Sequence, residues 1–539
     1  MSALLLVAPF PIAGPTPAWH VYVVWFALAP LLTALLLRSR ASGGRLLLRN
    51  TLLGYLCGVL WYGGTCYWVY QTMYLYGGLQ RPVAAGILVL FCLYLGLYYA
   101  FFALLVTLTY RATGKIGWAL FFTPFLWVAM ELACARITSF PWDQLGISQI
   151  DNLFLAQLAK WTGVYGISFL IVAVNCCIAG AILLRGWRTR TVSLLTGVAL
   201  AALLQAGARW DPAPAMAPAT AMLLQPNLDV KDSGNWPGVL FDRNMQHFAA
   251  LSEGPCHPYI AGMPETGAPM RQPDCTPRPM AGPVAEVIVW PESPAPFQEN
   301  DPRFQHWISA LAQDARTPVI VGDFAVERGP LRQSGWEIFN SASFVTQEGV
   351  FAGRYDKMHL VPFGEYVPFQ NWLWFARSLT AQVGTMQHGV RRVVFNNNGH
   401  TYGTFICYES IFADEVRQFV LLGADVLVNI SDDGWYGDTS APWQHLNMAR
   451  MRAVEDHRWL LRDTNSGVTA AIDPYGRVVQ SLPRHTQGAL AAHFNYISDT
   501  TFYTKHGDLF AWFCAIIAIV LAVDGCIQHP QMEGDHTPS

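Results

Sequence analysis

Residues 1–215 hold only four acids, Glu131, Asp143, Asp151 and Asp211, among long apolar runs, and that shortage of negative charge constrains the fold more than any other feature. The runs cover roughly 3–18, 20–37, 51–70, 83–109, 116–135, 161–184 and 191–208, and another lies at 508–524. A bilayer-spanning helix needs about 20 mostly apolar residues, and most of the runs reach that length. The first is crowded by Pro9, Pro11, Pro15 and Pro17 and has no Lys or Arg before Arg38, unlike the basic start of a signal peptide. It reads as a short or broken first helix. Over the 539 residues only 13% are charged, against about 25% in soluble proteins, which excludes a disordered chain and an ordinary cytosolic enzyme.

Charge divides the chain. Residues 1–215 carry 13 of the 34 Lys and Arg but four of the 37 Asp and Glu, so the acids belong to the second half. With a net charge of -3 and no basic excess, nucleic acid is not an expected partner. Arg38, Arg40, Arg45 and Arg49, then Arg111 and Lys115, then Arg185, Arg188 and Arg190 fall in alternate loops, which the positive-inside rule puts in the cytoplasm. The segment after the seventh run then lies outside. The expected organisation is seven membrane helices over 1–210, an extracytoplasmic domain over 217–505 and a C-terminal membrane helix over 508–525. Glu131 lies in or beside a span, where a carboxylate is either functional or a buried partner of Arg136 or a tryptophan, the second reading being preferred. Trp142 reads as an interfacial anchor.

The second half alternates short apolar runs with helical patterns, as in a layered α/β domain. Strands are expected at 220–225, 287–290, 319–322, 341–346, 393–395, 402–407, 426–430 and 468–472, and helices at 304–315 and 443–458. Eight prolines between Pro255 and Pro283 mark a surface insertion, 255–283, where Cys256 and Cys275 are either bridged or free. The spacing of His359 and His445 fits no zinc pattern, and neither a metal nor a cofactor is expected. Arg450, Arg452 and Glu455 fall at helical spacings suited to a salt-bridge face.

Three patterns carry chemistry. Val289-Trp290-Pro291-Glu292-Ser293 ends a strand in a carboxylate, Tyr355-Asp356-Lys357-Met358-His359-Leu360-Val361-Pro362-Phe363-Gly364-Glu365 supplies a cation, and Thr404-Phe405-Ile406-Cys407-Tyr408-Glu409 ends a strand in a thiol. Reactive groups collect at the carboxyl ends of strands in such layers. A thiol attacks an acyl carbonyl as thiolate. Glu292 can take its proton, and Lys357 can lower the thiol pKa and stabilise the oxyanion.

Taken in order, these patterns resemble the nitrilase superfamily, whose Glu–Lys–Cys triad sits on an αββα sandwich. The long second pattern and the flanking spans are similar to the bacterial apolipoprotein N-acyltransferase family. So are Ser139-Phe140-Pro141-Trp142 with Gln144, Gly146, Ser148 and Gln149, then Trp443-Gln444-His445 with Met448-Ala449-Arg450, Arg452, Ala453 and Glu455, and Arg462 with Thr464-Asn465-Ser466-Gly467, Thr469 and Ala470. The resemblance runs from about residue 20 to 525, departing at the N-terminus and the proline-rich insertion. It implies a multi-span membrane domain joined to a nitrilase-like αββα domain in the bacterial inner membrane, with the catalytic part on the periplasmic side. It also implies transfer of the sn-1 acyl chain of a phospholipid, typically phosphatidylethanolamine, through a Cys407 thioester to the amine of a diacylated apolipoprotein. Glu292 is then the base, Lys357 the oxyanion stabiliser and Cys407 the nucleophile. Glu365, Tyr408 and Glu409 match supporting positions, and Trp236 matches loosely a tryptophan lining the substrate path.

Aromatic residues at 363–375 (Phe363, Tyr366, Phe369, Trp372, Trp374, Phe375) and the pair Trp435 and Tyr436 are candidates for loops dipping into the interface. Two rival readings remain at this point: a membrane-bound carbon–nitrogen hydrolase, and a transporter or scaffold with an inactive soluble domain.

Overall fold

The computed structural model describes residues 1–37, 44–230, 239–259, 274–276, 282–293, 297–329, 335–366 and 386–527. Among these, six helices are long and apolar enough to cross a membrane: His20–Leu37, Arg81–Thr113, Ile116–Thr138, Val164–Leu183, Trp187–Arg209 and Leu509–Ile527. The first run departs most from a span. Its helix covers only Ser2–Val7, and the proline-bearing stretch follows. The run at 51–70 is shared between helices Gly44–Thr65 and Trp68–Leu75. The first of these packs against 81–113 very closely. A Cβ on Gly58 would come within 2.7 Å of Tyr99 Cβ, so a small residue is what allows the approach. Trp512, Phe513, Ile516, Ile519 and Val520 of the last helix, with Val192, Leu195, Val198 and Leu203 of 187–209, remain exposed, an apolar surface that lipid would cover.

The second half is built on two sheets. The strands are β1 (Ala219–Gln225), β2 (Cys256–Tyr259), β3 (Val287–Val289), β4 (Val319–Arg328), β5 (Trp336–Val345), β6 (Phe351–Asp356), β7 (Val394–Asn397), β8 (His400–Ile406), β9 (Val426–Ser431), β10 (Leu460–Thr464), β11 (Ala470–Ile472), β12 (Val478–Ser481) and β13 (Gln487–Phe494). One sheet has the order β2-β13-β1-β3-β4-β5-β6 and the other β12-β11-β10-β9-β8-β7. Alternation along each strand sends side chains to opposite faces. Leu223, Val287 and Val289 pack toward the second sheet, in one core with Phe405, Val428 and Leu461. Met222, Leu224 and Ile288 pack outward against Phe248 and Ile308 of helices Val239–Ser252 and Pro302–Ala315. Helices Ala413–Leu421 and Ala441–Asp456 cover the second sheet. This is the αββα sandwich, and burial on both faces explains why β1 and β3 are apolar without a polar side.

Parallel pairing aligns the strand ends that matter. Leu223 pairs with Val289, Val289 with Ile320, and Ile406 with Ile430. Cys256 and Cys275 form a disulfide at the β2 edge.

One membrane-side expectation changes, and the preferred reading of Glu131 as a buried partner of a tryptophan holds. Trp142 is buried, not interfacial, and its Nε1 donates to Gln444 Oε1 at 2.8 Å. Glu131 accepts from Trp127 Nε1 at 2.9 Å and from the Leu145 backbone N–H at 2.8 Å. Arg136 instead pairs with Asp414 and, at 2.5 Å, with Asp508, tying the membrane helix to the second domain and to the start of the last helix.

Candidate active site

Glu292, Lys357 and Cys407 each follow a strand end, after β3, β6 and β8 respectively, and all three are buried. Glu292 Oε1 accepts from Lys357 Nζ at 3.0 Å and from Asn340 Nδ2 at 2.7 Å, while Oε2 accepts from the Asp432 backbone N–H at 2.9 Å. The Cys407 thiol lies close enough for the two groups to act on each other's ionisation. Glu365 lies on the other side of the ammonium: its Oε1 accepts from Lys357 at 2.9 Å and from Asn340 at 2.8 Å, and its Oε2 from the Val361 N–H at 2.7 Å. One ammonium and one amide therefore bridge two carboxylates, a geometry in which each charge has a partner despite burial.

Burial opposes the Glu292 charge, but Lys357, Asn340 and the Cys407 thiol hold its carboxyl below the ordinary range. Burial likewise opposes the Lys357 charge, yet Glu292 and Glu365 hold the ammonium well above the usual lysine value. Burial, reinforced by the Glu292 charge, pushes the Cys407 thiol well up, with Lys357 only partly offsetting. The resting site thus pairs an ionised carboxylate and ammonium with a neutral thiol. Lys357 acts on the thiol in the expected direction but is outweighed by burial and Glu292, so the proton leaves only when a base receives it.

Cys407 opens a tight turn, Cys407–Ile411, with φ at +50°, a left-handed backbone unusual for a side chain of this kind. Glu409 fastens that turn. Its Oε2 accepts from the Ile406 N–H at 2.8 Å, and its Oε1 from Tyr355 OH at 2.7 Å and from the Met358 and His359 N–H groups at 2.7 and 3.1 Å. One carboxylate therefore joins the nucleophile's turn to the segment bearing Lys357. Burial raises the Glu409 pKa, the surrounding donors lowering it in part. Tyr408 points away from the carboxylates and donates to the Ser139 carbonyl at 3.2 Å, in the loop leaving the membrane helices.

Trp236 lies outside the described residues, as do Phe369, Trp372, Trp374 and Phe375. Tyr436 packs edge-on to Trp68 and to His445, and the Trp435 carbonyl accepts from Thr72 Oγ1 at 3.3 Å. Arg452 and Glu455 pair at 2.9 Å in the interior rather than on an exposed face, and Arg450 reaches Asp151 at 2.6 Å. His359 stacks on Phe412.

Asn340, Asp432 and Asp433 are not singled out by the sequence, and His445 and Arg462 are named there within resembling patterns, without a role in the site. The signal available was Ser431-Asp432-Asp433-Gly434, two acids at a strand end, the same position that drew attention to Glu292 and Cys407.

Two family models match the chain. Apolipoprotein N-acyltransferase N-terminal domain matches residues 2–177, and Carbon-nitrogen hydrolase matches residues 200–498. The apolipoprotein N-acyltransferase of Geobacter metallireducens is 33% identical over 97% of this chain and 93% of its own length. That of Methylococcus capsulatus is 32% identical over 89% of this chain and 88% of its own. Among solved structures, Saccharomyces cerevisiae Nit3, a member of branch 10 of the nitrilase superfamily, is 15% identical, covering 52% of this chain and 91% of its own with a TM-score of 0.33.

Proposed function

This chain belongs to the apolipoprotein N-acyltransferase family, and from that premise we propose that it moves the sn-1 acyl chain of a phospholipid onto Cys407 and then onto the N-terminal amine of a diacylglyceryl-cysteine apolipoprotein. It is a membrane-associated acyltransferase of lipoprotein maturation. The observation that carries the two-step reading is that one buried carboxylate, Glu292, accepts from the Lys357 ammonium at 3.0 Å and interacts electrostatically with the Cys407 thiol.

In the first half-reaction Glu292 takes the thiol proton as the Cys407 sulfur attacks the ester carbonyl. The Lys357 ammonium stabilises the oxyanion, a role in which a fixed cation away from bulk water is worth far more than in water. The ester C–O bond breaks, the thioester forms, and Glu292 returns the proton to the departing lysophospholipid oxygen. In the second, the apolipoprotein amine attacks the thioester, Glu292 takes its proton, the C–S bond breaks and the thiol is restored. Glu365 and Asn340 hold Lys357 and Glu292 in register for both steps. Glu409 fixes the nucleophile's turn, and Tyr408 braces it on the membrane part.

The donor is a phosphatidylethanolamine-like lipid, and the site works at the outer face of the bacterial inner membrane. Alternate Arg-rich loops support that orientation, and both substrates, being lipid-anchored, bring their reacting groups to the bilayer surface. The test is incubation of the purified protein with labelled phospholipid, with and without a diacylated peptide. Acyl-Cys407 found by mass spectrometry in the absence of peptide, and acyl-peptide in its presence, support the reading. Free fatty acid with no acyl-peptide would assign the site to hydrolysis. Acyl-peptide formed at the normal rate by Cys407→Ala would remove the thioester.

A further inference from the structure

The nucleophile's turn is gripped by a buried group that the mechanism above leaves unused. His445, on helix Ala441–Asp456, is fully buried, and its Nε2 lies 3.1 Å from the Cys407 carbonyl oxygen and 2.7 Å from Ser410 Oγ. Cys407 and Ser410 are the first and fourth residues of one turn. The opposite ring nitrogen, Nδ1, lies 2.9 Å from Asp433 Oδ1 and 3.1 Å from Arg462 Nη2. Arg462 in turn donates to Asp433 Oδ2 at 2.8 Å, and Ser431 Oγ donates to Asp433 Oδ1 at 3.0 Å. Whichever nitrogen carries the proton, the ring joins the turn to a buried ion pair at the end of β9.

The same strand end serves the other members of the site. The Asp432 N–H donates to Glu292 Oε2, and the Ser431 hydroxyl, which donates to Asp433, acts to lower the pKa of the Cys407 thiol. Asp432 and Asp433 thus reach, in succession, the base and the histidine that touches the nucleophile's carbonyl, with Ser431 bracing Asp433. A left-handed backbone at a residue with a Cβ persists only where its surroundings over-determine it. The Cys407 carbonyl faces His445, so the ring supplies part of that constraint. The ring itself is held flat beneath Trp142, at 6.0 Å between centroids and 20° between planes, and Tyr436 meets it edge-on.

We propose that His445 is a positioning residue for acyl transfer: braced by Asp433 and Arg462, it holds the Cys407–Ser410 turn so that the sulfur stays against Glu292. This rests on Cys407 being the nucleophile. The ring makes no contact with the reacting atoms and takes no proton in the reaction. Its effect falls on the rate of the chemical step and leaves lipid binding alone, because misplacement of a reacting group by about 1 Å costs on the order of 100-fold.

The test compares wild type, His445→Leu and His445→Gln as full-length protein in detergent micelles with phosphatidylethanolamine. A glutamine amide offers a donor and an acceptor near the place of Nε2, whereas leucine offers neither. The expected result for His445→Leu is at least a 10-fold fall in the rate of acyl-Cys407 formation, an unchanged KM for lipid, and slower alkylation of Cys407 by iodoacetamide, with His445→Gln recovering most of the rate. Wild-type acylation and alkylation rates in His445→Leu would overturn the inference, as would a loss confined to KM. If His445→Leu does not fold, Asp433→Asn keeps the volume and loosens the ring, and normal acylation in that variant overturns the inference equally. Absence of acyl-Cys407 in wild type would instead defeat the nucleophile reading, so the two failures are distinguishable.

Discussion

Gly322 backs directly onto Glu292: a Cβ placed on Gly322 would stand 2.8 Å from Glu292 Cα and 2.6 Å from the Ser293 nitrogen. Gly322 lies inside β4, alongside the point where the chain leaves the neighbouring β3 toward Glu292. The neighbours are backbone and cannot rotate away, so Gly322→Ala must push the segment carrying the base. Moving a reacting group by about 1 Å costs on the order of 100-fold in rate. Gly322→Ala is expected to lower acyl-Cys407 formation by about 10- to 100-fold while the Cys407 thiol stays present and unmodified, read by intact-protein mass spectrometry over time.

The charges of the site set its pH behaviour. The Glu292 carboxyl is held below its ordinary value, so its ionisation contributes stability above the unfolded-state pKa of about 4.3, and that contribution is lost as pH falls through the lower folded value. The Cys407 thiol is shifted the other way: its contribution is present below the unfolded value of about 8.5 and is lost as pH rises toward the higher folded one. Between these limits the site keeps an ionised base beside a neutral thiol. Acylation of Cys407 by lipid is therefore expected to stay flat from about pH 8 down to about pH 5, with its acid limb below the ordinary glutamate value of about 4.3. An acid limb centred above about pH 6 would exclude Glu292 as the base.

Glu292 and Cys407 were legible because each follows a short apolar run that could be recognised as a strand, whereas Lys357 follows β6, Phe-Ala-Gly-Arg-Tyr-Asp, which is no apolar run, and stood out only through its motif. The run at 220–225 became Ala219–Gln225, and that at 426–430 became Val426–Ser431. Strands built of small or polar residues were not legible. Gln487–Phe494 reads Gln-Gly-Ala-Leu-Ala-Ala-His-Phe, with few β-branched residues, and is a strand because it pairs with β1 along its length. Leu460–Thr464 buries Arg462 and Asp463 in the middle of the second sheet, against every expectation from hydropathy. Its arginine is accommodated only because Asp433 and Asn429, both more than 25 residues away, arrive beside it. The same reasoning explains Asn340 and His445: their roles lie in partners that no local spacing reveals. Trp142 was misread because an aromatic residue after a span is ordinarily interfacial, whereas here the second domain covers it.

The Cys256–Cys275 disulfide is remote from the chemistry by topology. It tethers β2, and β13 and β1 lie between β2 and β3, which leads to Glu292. Its sequence separation of 19 closes a short loop, for which chain-entropy reasoning gives about 3 kcal/mol at 15 residues. The variant Cys256→Ser is expected to lose about 2–3 kcal/mol of stability in denaturant titrations. Acyl-Cys407 formation at 25 °C is expected to remain within a factor of about two. Equal loss of activity and stability would show that the insertion edge is coupled to the site.

The two halves of the molecule are joined at a polar contact whose removal should be felt throughout. Gln444 uses both ends of its amide on the membrane part: Oε1 accepts from Trp142 Nε1 at 2.8 Å, and Nε2 donates to the Pro11 and Thr65 carbonyls, each at 3.0 Å. All of this is buried. Gln444→Leu would strand an indole N–H and two carbonyls away from water, and each unsatisfied group costs about 1–3 kcal/mol. Trp142→Phe would strand only the Gln444 oxygen, at the cost of a smaller aromatic surface. Both variants are expected to melt earlier than wild type in the same detergent. Gln444→Leu should fall further, by at least about 5 °C, since about 1 kcal/mol moves the midpoint of a domain of 150–250 residues by about 2–4 °C. Because Gln444 precedes His445 on the same helix, slower Cys407 acylation should accompany the earlier melting of Gln444→Leu. Should Gln444→Leu melt with wild type, the contact between the halves would be dispensable, and the position of the catalytic domain against the membrane would have to be fixed elsewhere, first by Arg136 with Asp414 and Asp508.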